Sequence, residues 1–557
     1  MMNKLTSIDY IIFIIYFIII IVYGIYIFRR NKKKVADSKD YFLAEGSLTW
    51  WAIGSSLIAS NISAEQFIGM SGSGFSMGLA IASYEWLAAF TLIIVAVFFI
   101  PVYLKNKIYT MPQYLHKRYN EKVALIMSIF WLMLYIVVNL TSILYLGALA
   151  INGISGFNFT LCMAFLAVFA VMITLGGMKV IGYTDVIQVF FLIMGGLVTT
   201  YLAVTLVSGE NGVSGFWSGL SSMKETAGDH FHMIFKKTDP HYIDLPGISV
   251  LIGGMVIVNL NYWGCNQYIT QRALGADIKT ARNGILFAAF LKLLMPVIVV
   301  LPGIAAYVLY QKGLFQQEML QDGVINPDRA YPTLLNLLPS GMKGLSFAAL
   351  IAAIVASLAG KANSIATIFT LDIYKKYINK DSSEENLVRI GKLAVVASVI
   401  LAIIIAPLLG IDKKGGFQYI QEYTGFVSPG IFAMFILGFF WKKTTPTAAL
   451  FAIIAGFIFS VVLKFAPLFL DLSFLYSIGF AVPNAQGIYE IPFIDRMAIV
   501  FLFCVLGMYG ISISQTRKGL PVQGLEIDSS MFKTSRAFAL GSILIILIIT
   551  ILYISFW

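Results

Sequence analysis

Fourteen apolar runs constrain this sequence more than any other feature, because they fill most of its 557 residues. A helix needs about 17–25 apolar residues to span the hydrocarbon core of a bilayer. The runs lie near 10–28, 50–77, 79–104, 123–153, 157–176, 183–208, 246–270, 282–311, 344–373, 390–410, 417–441, 446–468, 490–513 and 537–556. In lipid the backbone must satisfy its own hydrogen bonds, which runs of this length do as helices. Charged residues are 12% of the chain, about half the usual share of a soluble domain. The expected fold class is an all-α integral membrane protein with about fourteen transmembrane helices. The first run is too long for a secretory signal and lacks a small-residue cleavage site, so it is expected to stay as a helix.

The 39 Lys and Arg outnumber the 28 Asp and Glu, for a net charge of +11. Their placement is topological. With the amino terminus outside, the inside loops hold RRNKKK (29–34), Lys105, Lys107, Lys117, Arg118, Arg272, Lys279, Arg282, Lys375, Lys376, Lys380, Lys442, Lys443, Arg517 and Lys518. Those loops are the shorter ones, where the positive-inside bias counts most. Both termini are expected outside a cell membrane, inner or plasma, with lipid as the surrounding partner and no nucleic acid. Cys162, Cys265 and Cys504 lie in apolar runs without paired spacing and read as small buried hydrophobes. His230, His232 and His241 read as a solvated external loop rather than a metal site. No GxxxxGK[ST] pattern occurs, so any work this chain does draws on gradients rather than on nucleotide hydrolysis.

Two runs are interrupted by polar residues. The second contains ASNISAEQFIGMSGSG (59–74), and the seventh contains NLNYWGCNQ (259–267). They are five runs apart, an odd number, so equivalent helices would cross in opposite directions. Interrupted segments at equivalent positions in two halves point to a transporter built from inverted repeats. Spacing alone carries this expectation. It divides the chain into a peripheral helix and basic cytoplasmic loop (1–48), a first five-helix repeat (49–208), an external loop (209–245), a second repeat (246–441) and peripheral helices (442–557).

Ionisable groups inside a membrane are costly and mark candidate sites. Here they are Glu65, Glu85, Asp185, Lys292, Lys361, Asp372 and Glu422. Glu85 and Lys292 cannot easily reach an interface and read as functional. Lys361, Asp372 and Glu422 lie near helix ends or polar stretches and read first as structural pairs. With the amides of Asn61, Gln66, Asn139, Asn259 and Gln421 they offer both donors and acceptors, the mixture a neutral polyhydroxyl solute needs. Tyr84, Trp86, Tyr262, Trp263 and Phe417 would stack on such a solute or close a gate, although membrane aromatics are more often packing. Gly69, Gly72 and Gly74 with Ser60 and Ser63 suit an unwound segment whose carbonyls would hold a hard cation. Ser357, among small residues of the ninth run, fits either cation binding or close helix packing.

The strings GSSLIASNISAEQFIGMSGSG, GLAIASYEW, YTDVIQVFF, NYWGCNQYITQR, FAAFLKL, ANSIATIFTLDIYK and FQYIQEYTGFVSPG resemble the sodium/solute symporter family over essentially the whole chain, and its sugar branch in particular. The resemblance implies a leucine-transporter-type five-plus-five inverted repeat with alternating access. It implies symport of sodium with a small neutral monosaccharide, galactose- or glucose-like. By motif, Gln66, Glu85, Asn259, Lys292 and Gln421 would hydrogen-bond the sugar. Tyr262 would stack on its ring as the inner gate, supported by Asn61 and flanked by Trp263. Met70, Tyr84 and Phe417 would form the outer gate. Sodium would be held by the carbonyls of Ala59, Ile62 and Ala353 and the Ser357 hydroxyl, with Asp185 on its release path. The sequence departs from the family pattern where Ala356 replaces a second sodium-site serine, where Ala88 replaces a sugar-contacting serine, and where Asn261 replaces an aromatic. The first bears on sodium affinity and the second on sugar preference. Rival readings are a same-fold symporter for inositol, sialic acid or an amino acid, and a solute sensor that does not transport. An enzyme is disfavoured because no nucleophile–base or metal-ligand set is visible. No feature assigns an oligomeric state.

Overall fold

A computed structural model describes residues 5–30, 48–176, 178–321, 323–408, 416–484 and 486–557. The Lys-rich part of the basic loop, 31–34, lies outside the described residues. Each apolar run carries helix, and β structure among the described residues is confined to two short hairpins in connecting segments. Among the described residues ten helices are long and apolar enough to cross a membrane, which makes this a multi-pass membrane protein. Three shorter apolar helices, Phe159–Thr174, Ser249–Cys265 and Ser428–Phe440, fall below that length. One of the ten, Glu65–Lys105, joins parts of two runs and is divided by a turn at Gly78.

Burial separates a core from a periphery. The most hydrophobic windows of Met342–Ile378, Glu65–Lys105 and Ile278–Gln311 are 89%, 72% and 67% buried, against 28% for Ser7–Ile27, Phe493–Arg517 and Arg536–Ser555. A helix that is apolar all round yet largely exposed presents its outer face to lipid; Ile11, Ile15, Ile18 and Val22 do so on the first helix. Ile278–Gln311 packs against Trp50–Asn61, Ser71–Met77 and Ser83–Ile94, so the polar second run lies at the centre.

Both interrupted runs are broken helices. The first half, Trp50–Asn61, ends where Ile62 turns extended (φ −76°, ψ 115°), and helix resumes as a π-helical segment, Glu65–Met70, followed by Ser71–Met77. The restart is capped reciprocally. The Glu65 amide donates to the Ser63 hydroxyl (3.1 Å), and the Ser63 amide donates to the Gln66 side-chain oxygen (3.0 Å), which satisfies backbone donors that a new helix leaves orphaned. In the seventh run, Gly254–Cys265 and Gln267–Leu274 meet at an extended Asn266 (φ −98°, ψ 130°). Tyr135 OH donates to the Asn266 side-chain oxygen (3.1 Å) and accepts from the Gln267 amide (3.2 Å).

Two expectations need correction. The glycines 69, 72 and 74 do not form the break, which lies upstream at Ile62–Ala64; they are helical and let neighbours approach. A Cβ there would come within 2.9 Å of the Phe417 backbone, 2.9 Å of the Asp328 amide and 2.7 Å of the Val300 carbonyl respectively. The loop with His230, His232 and His241 is only partly solvated: His232 is exposed, but His230 is packed. His230 stacks on Tyr307 (centroids 4.0 Å apart) and lies 3.1 Å from the Phe75 carbonyl, and its backbone covers Gly78, which has φ +72°.

Gly78→Ala is expected to strain this turn by about 1–3 kcal/mol and to push the 228–231 loop away. A lowered unfolding midpoint in detergent would show it; an unchanged midpoint would mean that the turn relaxes freely.

Candidate functional site

The two breaks and their neighbours surround a cavity lined by polar and aromatic side chains. All six residues expected to meet sugar, Gln66, Glu85, Asn259, Tyr262, Lys292 and Gln421, line it. Asn61, Tyr84, Trp263 and Phe417 of the expected gates line it as well, whereas Met70 is buried off its wall. Ala88 and Asn261 also face the cavity, so both departures fall on its surface.

One polar chain organises the wall. The Lys292 ammonium donates to Glu85 Oε2 (2.5 Å) and to the Asn61 side-chain oxygen, and Asn61 Nδ2 donates to Tyr262 OH (3.0 Å). It links both broken helices to the two long helices that carry Glu85 and Lys292. Lys292 also lies 5.3 Å from the Trp263 ring, close enough for a cation–π contact. Asn259 donates to the Met255 carbonyl one turn back (3.0 Å), and Asn261 donates to the Ser428 hydroxyl (3.1 Å). The rings of Tyr84 and Phe417 meet edge to face at 4.9 Å, and Tyr262 lies against Tyr268 at 5.7 Å.

The residues expected to hold sodium gather at the first break. Ala59 and Ile62 flank its last helical turn, where carbonyls lose their intrahelical partners. The Ser357 hydroxyl donates to the Ser60 carbonyl (3.0 Å), with Ala353 one turn earlier on the same helix. Ala356 is buried and adds no oxygen. The Ser60 hydroxyl is buried and has no hydrogen-bond partner among the described residues. Asp185 lies one turn along, accepting from the Ser56 hydroxyl (2.5 Å) and 4.0 Å from Arg272, whose Nε donates to the same hydroxyl (2.8 Å).

The other membrane charges divide into two kinds. Asp372, bonded to Thr110 and Lys376, and Glu422, paired with Lys464 and Arg496, are structural locks away from the cavity. Lys361 departs from its reading as a helix-end pair. It sits well inside the Met342–Thr367 helix, lines the cavity and donates to Ser357. Glu65 lines the cavity too and accepts from Ser142 (3.1 Å). Sequence reasoning passed over Asn266, Tyr268, Thr424 and Ser428 on the wall. The string NYWGCNQYITQR contained the first two, since polar side chains at a helix break tend to face the same cavity.

A charge-balanced polar cavity between two broken helices, inside a bundle of apolar membrane helices, defines a membrane transport protein. The chain belongs to the sodium:solute symporter family, whose sequence profile matches residues 41–456. It is 48% identical to the sodium/glucose cotransporter of Vibrio parahaemolyticus over 563 aligned positions, covering 100% of this chain and 99% of that protein. It is 33% identical to human sodium/myo-inositol cotransporter 2, over 82% of this chain and 69% of that one. Its fold matches a solved Na+-coupled sialic acid symporter in a substrate-bound outward-open state, with a TM-score of 0.76 at 22% identity, over 94% of this chain and all of that one. The family and these relatives are cotransporters, not enzymes.

Removing one partner of a buried ion pair leaves an uncompensated charge, costing about 3–5 kcal/mol. Lys292→Met should therefore lower the unfolding midpoint, and adding Glu85→Gln should recover most of the loss. A double variant no more stable than the single one would mean that the pair does not hold this wall together.

Proposed function

We propose that this protein carries a monosaccharide, galactose- or glucose-like, into the cell together with sodium, by alternating access. The charge-balanced cavity carries this reading. Glu65 and Glu85 offset Lys292 and Lys361, and the amides of Gln66, Asn259 and Gln421 complete a wall that is net neutral and rich in both donors and acceptors. Such a wall suits an uncharged polyol better than a carboxylate. The name of the whole-length relative at 48% identity supports glucose-type sugars, and that of the 33% relative makes inositol the alternative polyol.

In this reading fourteen helices cross the membrane, with a five-plus-five inverted repeat formed by 49–208 and 246–441, 1–48 and 442–557 peripheral, and both termini outside an inner or plasma membrane. Tyr84 and Phe417, backed by Met70, close the cavity on the outer side. Tyr262, held by Asn61 and flanked by Trp263, closes the inner side and stacks on the sugar. Sodium is taken by the carbonyls of Ala59, Ile62 and Ala353 with the Ser357 hydroxyl, and leaves past Asp185. Ala59 and Ile62 among its ligands lie at one end of the helix break and Gln66 at the other, so ordering the break for the ion also positions the sugar amide. Linkage then requires sugar to raise sodium affinity by the factor that sodium raises sugar affinity. One sodium entering at about −100 mV releases roughly 2.3 kcal/mol, enough to concentrate a neutral sugar roughly 50-fold before any chemical gradient is added.

Purified protein in proteoliposomes, given a sugar panel with sodium and proton gradients imposed separately, tests this. Concentrative uptake of a hexose is expected only with inward sodium. Ser357→Ala should remove the sodium dependence, and Gln66→Ala should abolish uptake in a folded protein. Accumulation under a proton gradient alone, or sodium-dependent uptake by the Ser357 variant, would overturn it.

A further inference from the structure

The Met342–Thr367 helix places a lysine one turn beyond Ser357, and its ammonium does not snorkel to an interface. Lys361 is 2% exposed, and its Nζ lies 3.3 Å from the Ser357 hydroxyl oxygen. The hydroxyl proton is already given to the Ser60 carbonyl, so Ser357 presents its lone pairs to the ammonium. The same side chain borders the solute cavity, with the Tyr268 ring 5.1 Å away. The charges acting on it are Glu65, which attracts it, and Arg272, which repels it; Asp185 faces Arg272 from the far side.

We propose that Lys361 is a tethered cation that competes with the transported sodium ion for Ser357, making it a determinant of ion affinity and of ion-to-solute coupling. This rests on the reading of Ser357 as a sodium ligand. Two positive charges sharing one hydroxyl in a desolvated site repel strongly. Sodium therefore binds when the ammonium swings away from Ser357 towards Glu65, whose carboxylate lies on the cavity wall on the other side of the helix break. That movement transfers positive charge from the ion site to the solute site. The entering ion thereby changes the cavity's hydrogen-bonding groups directly, in addition to any change in backbone order. Ala356 sharpens the competition, because it leaves Ser357 as the one hydroxyl that this stretch of helix turns to the site.

The test is direct binding of radioactive sodium to purified full-length protein by scintillation proximity, with binding of a radiolabelled hexose measured alongside. Lys361→Met and Lys361→Gln, which remove the charge, should lower the half-saturating sodium concentration by at least about tenfold, the effect of relieving about 1.4 kcal/mol of repulsion. Both should bind hexose with a weaker dependence on sodium. Lys361→Arg keeps the charge and should keep weak sodium binding. Wild-type or weaker sodium affinity in the folded neutral variants would overturn the proposal. Lys361→Gln keeps a polar side chain beside Ser357 and serves if Lys361→Met does not fold. Ser357→Ala separates the two ideas: unchanged sodium affinity in that variant would show that the ion site itself lies elsewhere.

Discussion

A helix broken inside a membrane exposes amides and carbonyls that lipid cannot satisfy, and the rest of this architecture depends on how those groups are answered. At the first break Ser63 and Gln66 cap the restarting helix, and the Ser60 carbonyl takes the Ser357 proton from another helix. At the second, Tyr135 bonds both the Asn266 side chain and the following amide. These partners sit on helices that must lie against the breaks. The breaks therefore dictate which helices form the core, and that core is what the lipid-facing helices surround.

The same logic governs the charges. Lys292 with Glu85 and Arg272 with Asp185 each place a buried cation near a carboxylate from a different segment. Buried pairs give little net stability, but removing one member is expensive. They tie together helices that would otherwise associate only through dispersion and small-residue contacts. Such pairs hold distant parts of the sequence in register.

Much of this was legible from residue order. Polar residues inside apolar runs located both breaks, and the intramembrane Glu85 and Lys292 proved to be direct partners on the cavity wall. What escaped depended on three-dimensional neighbours. The glycines after the first break suggested unwinding, yet their hydrogen faces are filled by Phe417, Asp328 and Val300, residues more than 200 positions away. Lys361 read as a structural pair near a helix end or polar stretch, but the helical backbone continues well beyond it to Ile378. The packing of the 228–231 loop on Gly78 left no periodic trace, since irregular segments record their contacts one residue at a time. Ser249–Cys265 and Ser428–Phe440 are short because a break and a turn divide their runs, whereas Phe159–Thr174 fills most of a run that is itself short.

Gln66 illustrates how far local backbone chemistry reaches. Its side-chain oxygen is taken by the Ser63 amide, and an amide group has one oxygen and one NH2. The rotational ambiguity of the amide is thus removed by the main chain, and the NH2 is the end left for the cavity that Gln66 lines. The Ser63 hydroxyl donates to the same oxygen (3.3 Å), so what this side chain turns to the cavity is a hydrogen-bond donor. The direction in which that donor points is thus set by the N-cap of a restarting helix.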